Sequence, residues 1–314
     1  MSARIGVIGS NMVDLVTTID RMPRLGETLA APHFAMGPGG KGANQAAAAA
    51  KLGADVLMVS RVGDDLFGAD TIRNFGRLGI DARHVRAVPG ASSGVAPIFV
   101  DANGDNSILI VKGANDHLLP ADIDEAAADL LSCDLLLLQL EIPLDTVYHA
   151  IDWARAHGKP VLLNPAPATE ALALDRIAGV DFFMPNQTEL AILTGLPTAT
   201  RAEAETAARH LLDRGMGRIV VTLGAEGALL VAPEETVHVP PVPVRARDTS
   251  GAGDAFIGAF AAHYVVHRDL RAALDQATRY AAHSVTRPGT QTAFASRDEF
   301  LAFCLEQPPS KGAD

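Results

Sequence analysis

The chain has 314 residues, of which 48% are hydrophobic and 20% charged, and its net charge at pH 7 is −11. This composition is ordinary for a globular protein, and the length favours one large domain with a small addition. Because the basic residues are scattered, and both nucleic acid and anionic membranes bind to concentrated positive charge, we expect neither as a partner.

The cysteines and the apolar runs indicate the cellular compartment of the protein. Cys133 and Cys304 lie in apolar surroundings without the spacing of a metal site, which is typical of a reducing compartment. The apolar stretch of "MSARIGVIGS" is too short for a signal peptide, and the longest apolar run, "LLLLQL", is too short to span a bilayer. The sequence therefore predicts a soluble, cytoplasmic protein.

Short apolar runs alternate with helix-length stretches along most of the chain. The run "IGVIGS" precedes the helical pattern "KGANQAAAAAKLG", and "VLMVSRVG" precedes the helical pattern "LFGADTIRNFGRLG". Four later runs are "DLLLLQL", "PVLLNPA", "DFFMPN" and "RIVVTLG". Continuous apolar strands separated by helices predict an α/β fold, with a mostly parallel central sheet and helices on both faces.

Two stretches break this alternation. Residues 14–36 hold extended runs without a helix between them, and residues 94–112 are typical of a hairpin with its turn around Asn103 and Gly104. We predict that both stretches form one small β-sheet, a lid that projects from the main domain. The α/β domain would then comprise residues 1–13, 37–93 and 113–314.

The glycine-rich segment "GPGGKGANQ" at 37–45 formally matches the dinucleotide fingerprint G-x-G-x-x-G. A dinucleotide site needs an acidic residue about twenty residues further on, at a strand end, but "VLMVSR" ends in Ser60 and Arg61. A P-loop is excluded because Lys41 is followed by Gly42 rather than by Ser or Thr. A plain glycine turn with a solvated Lys41 remains an alternative.

A ligand with several hydroxyl groups suits this segment better. The backbone amides of Gly39 and Gly40, the Lys41 ammonium and the Asn44 amide can converge on one ligand, because Asn44 lies one turn into the helix.

The segment "DTSGAGDAFIG" at 248–258 is the most informative of the chain. Gly251, Ala252 and Gly253 can bring several N–H groups to the beginning of the next helix, where anions are stabilised. Asp254 lies in the same first turn and can accept a proton from a hydroxyl group. A general base beside an anion site is what phosphoryl transfer to an alcohol requires. A helix-capping Asp after a glycine loop is the alternative.

Taken together, "GGKGANQ" and "DTSGAGDAFIG" resemble the paired motifs of the ribokinase family of sugar kinases, also called PfkB-type. Five further segments follow in the order expected of that family: "QLEIP", "NPAPA", "PNQTE", "VTLGAEG" and "VTRPGTQ". The resemblance therefore covers nearly the whole chain. Within the family the chain is most similar to bacterial deoxyribokinases and ribokinases, through "GSNMVDL", "SSGVAPIFV" and "SILIVKGAN".

This resemblance implies a ribokinase-like fold and ATP-dependent transfer of a phosphoryl group to the 5-hydroxyl of a pentose, either 2-deoxy-D-ribose or D-ribose. Asp254 would be the base, and the amides of residues 251–253 would stabilise the transferring group. Mg²⁺ would bridge the phosphates, and K⁺ would bind beside the anion site. Apart from the resemblance, an exposed lid sheet predicts that two copies pair through the lid. A kinase for another small sugar or nucleoside, or a catalytically silent sugar-binding protein, is the alternative.

The resemblance also implies three sets of site residues. The sugar would be held by Met12, Asp14, Gly39, Gly40, Lys41, Asn44, Glu141 and Asp254. ATP would be bound by Asn186, Glu189, Thr222, Gly224, Ala225, Glu226, Gly227, Gly253 and Thr278. The cation would be held by Asp248, the carbonyls of Ser250, Ser284, Arg287 and Gly289, and Thr292. Two alternatives need no ligand: a Glu141 that reaches water at a strand end, and a capping box formed by Asn186 and Glu189.

Three positions depart from the family pattern. Thr278 stands where Asn or His is expected beside adenine, and Ala293 stands where a Ser often completes the cation site. Met12 stands where the ribokinase pattern "GSxNxD" has Asn. A thioether accepts hydrogen bonds only weakly, so Met12 would favour a sugar without a 2-hydroxyl. Alternatively, Met12 points into the sheet and Asn11 supplies the polar contact.

Overall fold

The computed structural model describes residues 3–101 and 106–307. Its strands are β1 (Arg4–Ile8), β2 (Met12–Thr18), β3 (His33–Gly39), β4 (Asp55–Gly63), β5 (Asp81–Val88), β6 (Val95–Val100), β7 (Asn106–Ile108), β8 (Leu135–Leu138), β9 (Val161–Leu163), β10 (Phe182–Phe183), β11 (Arg218–Thr222), β12 (Ala228–Val231) and β13 (Thr236–Val239). Its helices are α1 (Lys41–Lys51), α2 (Leu66–Arg77), α3 (Pro120–Leu130), α4 (Leu144–Ala156), α5 (Gln187–Thr194), α6 (Arg201–Leu212), α7 (Ala252–His267), α8 (Leu270–Ser284) and α9 (Arg297–Glu306). None of these helices, within the part of the chain described, is long and apolar enough to cross a membrane.

A nine-stranded sheet forms the centre of the molecule, in the order β13-β12-β11-β10-β9-β8-β1-β4-β5. All neighbours from β11 to β5 pair in parallel, whereas β12 is antiparallel to both β11 and β13. Every residue of β8 is buried, as expected of a strand that is covered on both faces. The predicted mostly parallel sheet is confirmed.

Helices cover both faces of this sheet, because successive strand residues point to opposite sides. Val7 faces a core that includes residues of α1, α7 and α8, whereas the next residue, Ile8, faces a core that includes residues of α3, α4 and α6. The two layers of helices are therefore held by two separate apolar cores. The predicted arrangement of helices on both faces is confirmed.

A second sheet of four strands, in the order β3-β2-β6-β7, lies apart from the central sheet. The predicted hairpin is confirmed by the antiparallel pairing of β6 with β7, while the predicted turn at Asn103 and Gly104 lies outside the described residues. The strands extend past the predicted lid boundaries, because Met12 and Val13 pair with Gly39 and Pro38. The division into a kinase domain and a lid stays a prediction.

Three segments of the chain meet where it passes between the second sheet and the central domain. β1 ends at Ile8, and the chain passes through Ser10 and Asn11 into β2. β3 ends at Gly39, and α1 begins two residues later at Lys41. The first turn of α7 is bonded to α1, because Asp254 accepts hydrogen bonds from Asn44 and Gln45. The glycine-rich and GAGD segments, far apart in sequence, are therefore neighbours.

Candidate active site

Asp254 is buried in the first turn of α7, and both of its carboxylate oxygens are bonded to amides of α1. The Asn44 Nδ2 donates to Oδ2 at 3.0 Å, and the Gln45 Nε2 donates to Oδ1 at 3.0 Å. The N-cap of α7 is Gly251 and no side chain caps it, so the interpretation of Asp254 as a plain capping residue is wrong. The Ala252 N–H donates to the Thr249 carbonyl at 3.2 Å, while a helix leaves the other N–H groups of its first turn without an intrahelical partner.

The glycine-rich segment packs directly against the strand that carries Asp14. A Cβ at Gly39 would lie 2.1 Å from the Asp14 Oδ1. A Cβ at Gly40, where φ is +87°, would lie 2.7 Å from the Met12 backbone nitrogen. Only glycine allows this approach, and it brings Asp14, Gly39 and Lys41 together at one edge of the second sheet.

Glu141 lies under the glycine-rich segment and is buried. Its Oε2 accepts the hydroxyl of Ser10 at 2.6 Å and the backbone N–H of Lys41 at 2.8 Å. Burial raises the pKa of Glu141 above its usual value, although the Lys41 ammonium and the Ser10 hydroxyl act in the opposite direction. The interpretation of Glu141 as a strand-end residue in water is therefore wrong, and its Oε1 accepts no hydrogen bond from the residues that the structure describes.

Lys41 is the cation at the centre of several carboxylates. Burial lowers its pKa, but the negative charges of Asp254, Glu141 and Glu189 raise it by more, so that the net pKa lies above its usual value. The ammonium group therefore stays charged at neutral pH. Lys41 is half-buried, so the alternative of a glycine turn with a solvated Lys41 stays open.

Asp14 titrates close to neutral pH. Burial raises its pKa to about 6, with a smaller opposing effect from the Thr290 hydroxyl, which donates to Oδ2 at 3.4 Å. Glu141 and Asp254 add to the rise through charge repulsion. A carboxylate with such a pKa changes its charge within the range in which enzymes are commonly assayed.

Met12 shares a strand face with Asp14, because the two residues are two apart in β2. It is only 3% exposed, yet it belongs to neither of the two apolar cores. The Asn11 Nδ2, in contrast, donates to the Ser60 hydroxyl at 2.8 Å and to the Arg61 carbonyl at 2.7 Å. Asn11 thus uses its amide within the protein, which favours the interpretation of Met12 as a residue that faces the ligand.

A cavity of about 600 Å³ opens beside the first turn of α7. Most residues predicted to bind ATP line it: Asn186, Thr222, Gly224, Ala225, Gly227, Gly253 and Thr278. Glu189 and Glu226 do not line it, and Glu226 is exposed on the short 3₁₀ turn Gly224–Glu226. The cavity is large enough for a nucleotide.

The apolar wall of this cavity was not predicted. It includes Val242, Val244, Phe256, Ala282 and Val285. The sequence signal was the segment "PPVPV" at 240–244, which follows β13, is apolar but rich in proline, and belongs to neither a helix nor a strand.

Thr278 offers little hydrogen bonding to a base. Its Oγ1 donates to the Leu274 carbonyl at 2.9 Å, so its proton is used within α8. Toward adenine, Thr278 can therefore offer only the lone pairs of its Oγ1, as an acceptor, and the contact of its methyl group.

Asn186 and Glu189 form a capping box at the beginning of α5. The Glu189 N–H donates to the Asn186 Oδ1 at 2.8 Å, and the Asn186 N–H donates to the Glu189 Oε2 at 2.8 Å. The capping alternative is confirmed as the local geometry, and Asn186 in addition lines the cavity. Burial raises the pKa of Glu189, with smaller opposing effects from Asn186 and Lys41.

Residues 2–297 match the pfkB family of carbohydrate kinases. The chain belongs to this family. It is 56% identical over 296 residues to the deoxyribokinase of Salmonella typhimurium, which covers 94% of this chain and 97% of that protein. The family predicted from the motifs is confirmed.

Solved structures agree with this assignment. The Arabidopsis thaliana ribokinase complexed with ribose and ATP is 30% identical, with a TM-score of 0.89 and coverage of 96% of this chain and 99% of that one. A ribokinase-like protein of E. coli, solved with ATP and Mg²⁺, is 25% identical, with a TM-score of 0.80 and coverage of 97% and 99%. The ribokinase-like fold is confirmed, and the chain is an ATP-dependent carbohydrate kinase.

In this pfkB-family kinase, Asp248 joins the two loops predicted to hold a monovalent cation. Its carboxylate accepts the N–H of Ser250 at 2.9 Å and the N–H of Gly289 at 2.7 Å. Burial raises the pKa of Asp248, but these hydrogen bonds lower it by more, so that the net pKa lies below its usual value. Asp248 is therefore an ionised carboxylate that joins the two loops.

The remaining predicted cation ligands lie in these two loops, except Ser284, which is the last residue of α8. The Ser284 carbonyl accepts the N–H of Arg287 at 3.4 Å, which closes the turn that leads to Gly289. Ala293 is fully buried and offers no side-chain oxygen, whereas Thr292 is exposed and its Oγ1 lies beside Gly289. The donor set of one carboxylate, carbonyls and one hydroxyl fits a hard monovalent cation.

Proposed function

We propose that this kinase transfers the γ-phosphoryl group of ATP to the 5-hydroxyl of a pentose, and that 2-deoxy-D-ribose is at least as good a substrate as D-ribose. One observation carries the proposal: the turn that holds Asp254 borders both halves of the site. Gly253 lines the nucleotide cavity, while Asp254 is bonded to Asn44 of the glycine-rich segment. A base at this junction can act on a sugar hydroxyl that faces the terminal phosphate.

In the proposed mechanism, the Asp254 carboxylate accepts the proton of the 5-hydroxyl as that oxygen attacks the γ-phosphorus. The bond between the γ-phosphorus and the β,γ-bridging oxygen breaks, and ADP leaves. The N–H groups of Gly251, Ala252 and Gly253 stabilise the charge on the transferring group. The Lys41 ammonium balances the carboxylates of the sugar side.

Magnesium fits this site as a companion of ATP rather than as a protein-bound ion. Among the described residues, no cluster of three His, Cys, Asp or Glu side chains could hold a metal. Mg²⁺ commonly keeps its waters and binds phosphates together with one or two protein groups, and Asn186 and Glu189 are the candidates here. When bound, the ion neutralises charge on the phosphates.

The second sheet carries Met12 and Asp14 and would close over the sugar. Closure excludes water, which otherwise competes with the sugar for the phosphoryl group.

A sugar panel tests the proposed function. ADP release is measured with 2-deoxy-D-ribose, D-ribose, a hexose, a nucleoside and no acceptor. The proposal requires the two pentoses to be phosphorylated with the highest kcat/KM. Nucleoside or hexose preference favours a kinase for another acceptor, and no turnover with any acceptor favours a silent sugar-binding protein.

We expect the KM for the sugar to rise as the pH falls through about 6. The pKa of Asp14 is raised to about 6, so the side chain is an ionised acceptor above this pH and a neutral acid below it. Protonation removes an acceptor for sugar hydroxyls. KM measured from about pH 5 to about pH 8 should show this rise in the wild type and not in Asp14→Asn, whose KM is high throughout. A wild-type KM without a step near pH 6 contradicts the role of Asp14.

We also infer that potassium activates turnover. A cation between the 248–250 and 287–292 loops would order the turn that precedes α7, which shifts the population toward the active conformation. We expect the rate in K⁺ to exceed that in tetramethylammonium at equal ionic strength by at least about fivefold. Asp248→Asn should reduce this ratio. Equal rates in both salts would mean that Ala293 has abolished the site.

We infer the assembly from the exposed apolar side chains of the second sheet, and the location from the cysteines. Phe34 and Met36 lie on the face of the second sheet opposite Asp14, and they are 54% and 61% exposed. Large exposed apolar side chains on a sheet favour pairing with a second copy, so we infer a homodimer through the lid, whose mass sedimentation measures. The free thiols of Cys133 and Cys304 fit a cytoplasmic protein.

A further inference from the structure

The orientation of the two amides that contact Asp254 is fixed by its charge. An ionised carboxylate only accepts hydrogen bonds, so Asn44 and Gln45 must both turn their NH₂ groups toward it. Their amide oxygens consequently face away from Asp254 and need donors of their own. Two chains of amides, buried except for the half-buried Asn74, provide these donors.

The first amide chain consists of Gln139 and Gln45. The Gln139 Nε2 donates to the Gln45 Oε1 at 2.6 Å, and the Gln45 Nε2 donates to the Asp254 Oδ1 at 3.0 Å. The Gln45 Nε2 also lies 3.2 Å from the Asn164 Oδ1. Gln45 and Gln139 are fully buried, so neither touches solvent.

The second amide chain consists of Asn74, Gln291 and Asn44. The Asn74 Nδ2 donates to the Gln291 Oε1 at 3.0 Å, and the Gln291 Nε2 donates to the Asn44 Oδ1 at 3.0 Å. Asn44 then donates to the Asp254 Oδ2. Both amide chains therefore direct the positive ends of their dipoles toward the Asp254 carboxylate. Each amide chain holds one of the two carboxylate oxygens in place.

Within the described residues, the first amide chain leaves one buried polar atom of Gln139 without a hydrogen bond, which costs free energy. This atom is Oε1, which lies in the protein interior away from water. Turning this amide around would place its oxygen against the Gln45 Oε1, and the two oxygens would repel each other. The charge of Asp254 therefore fixes the orientation of Gln45, and Gln45 in turn fixes that of Gln139. A Cβ at Gly9 would lie 2.1 Å from this oxygen, so that glycine leaves room for the amide.

We propose that Gln45 and Gln139 are positioning residues that hold the Asp254 carboxylate in the orientation required to deprotonate the sugar. This inference rests on the proposed role of Asp254 as the base. Among the described residues, Gln139 reaches Asp254 only through Gln45, and both glutamines are fully buried. Misplacing a catalytic group by about 1 Å can lower a rate by about 100-fold, so the effect should be measurable.

A double-mutant cycle tests this proposal. Gln45→Met, Gln139→Met and the double variant are compared with the wild type on whichever pentose the wild type uses best. Gln45→Met should lower kcat by about 10–100-fold and leave the sugar KM within about twofold. Gln139→Met should have a smaller effect of the same kind. The double variant should be no slower than Gln45→Met, because Gln139 has no other route to the base.

Thr146→Val is the matched control, since it also removes a buried hydrogen bond. The Thr146 Oγ1 donates to the Leu118 carbonyl at 2.7 Å, in the helix layer that does not include α1 or α7. This variant should lower the melting temperature as the glutamine variants do and keep the wild-type kcat.

Three results would overturn the proposal: a wild-type kcat in Gln45→Met, additive effects in the double variant, or a slowing of Thr146→Val equal to that of Gln45→Met. If Gln45→Met does not fold, Gln139→Met alone decides, since the proposal requires a lower kcat at unchanged sugar KM. A wild type without turnover on any pentose contradicts the proposed function instead.

Discussion

Asp254→Asn lowers kcat by about 10²–10⁴-fold while the protein stays folded. The asparagine cannot take the proton of the 5-hydroxyl, and its NH₂ group would face the Asn44 or Gln45 amide that now donates to the carboxylate. Steady-state kinetics on a pentose with saturating ATP measures the loss, and the melting temperature reports folding.

Glu141→Gln separates loss of the base from loss of sugar binding. Glu141 is bonded to Ser10 and to the Lys41 backbone rather than to the α7 turn, so its substitution should raise the sugar KM more than it lowers kcat. Asp254→Asn, in contrast, should lower kcat more than it raises the sugar KM. A folded Asp254→Asn enzyme that works within about threefold of the wild type contradicts the assignment of the base.

Met12→Asn shifts substrate preference from 2-deoxy-D-ribose toward D-ribose. In the wild type, a 2-hydroxyl would be buried against the Met12 thioether, and an unpaired hydroxyl costs about 1–3 kcal/mol. Each 1.4 kcal/mol corresponds to a tenfold change, so the ratio of the two kcat/KM values should move by about 10-fold or more. Measuring kcat/KM for both sugars on both proteins gives this ratio.

Met12→Leu serves as the control for this substitution. It keeps an apolar side chain of similar size and should keep the wild-type ratio, whereas only the asparagine can bond to the 2-hydroxyl. A wild type that prefers ribose tenfold, with a ratio that Met12→Asn leaves unchanged, would mean that Met12 only packs within the sheet.

The central sheet was predictable because its strands are continuous apolar runs. β8, for example, is a run of four leucines, and such a run is stable only where both faces are covered. The residues at which the strands of the second sheet begin and end were harder to predict from the sequence. Met12 and Val13 belong to it only because they pair with Gly39 and Pro38, which is a contact between distant parts of the chain.

The glycine turn at the beginning of α7 and the proposed base after it were also visible in the sequence, since a glycine-rich turn and an acidic residue follow one another there. The surroundings of the base were not. Gln45 and Gln139 are ordinary polar residues in a helix and after a strand, and their role depends on a contact across the molecule. The apolar wall of the cavity was not predictable either, because it is formed by residues such as Val242 and Phe256 from different parts of the chain.

The position of the phosphate on the product tests the central claim most directly. The purified enzyme is incubated with ATP and 2-deoxy-D-ribose, and the product is examined by phosphorus and proton NMR. The account predicts one phosphate ester whose phosphorus couples to the two protons on C5, with one ADP formed for each ester. A phosphate on the anomeric carbon, or ADP with free phosphate and no sugar ester, would contradict it.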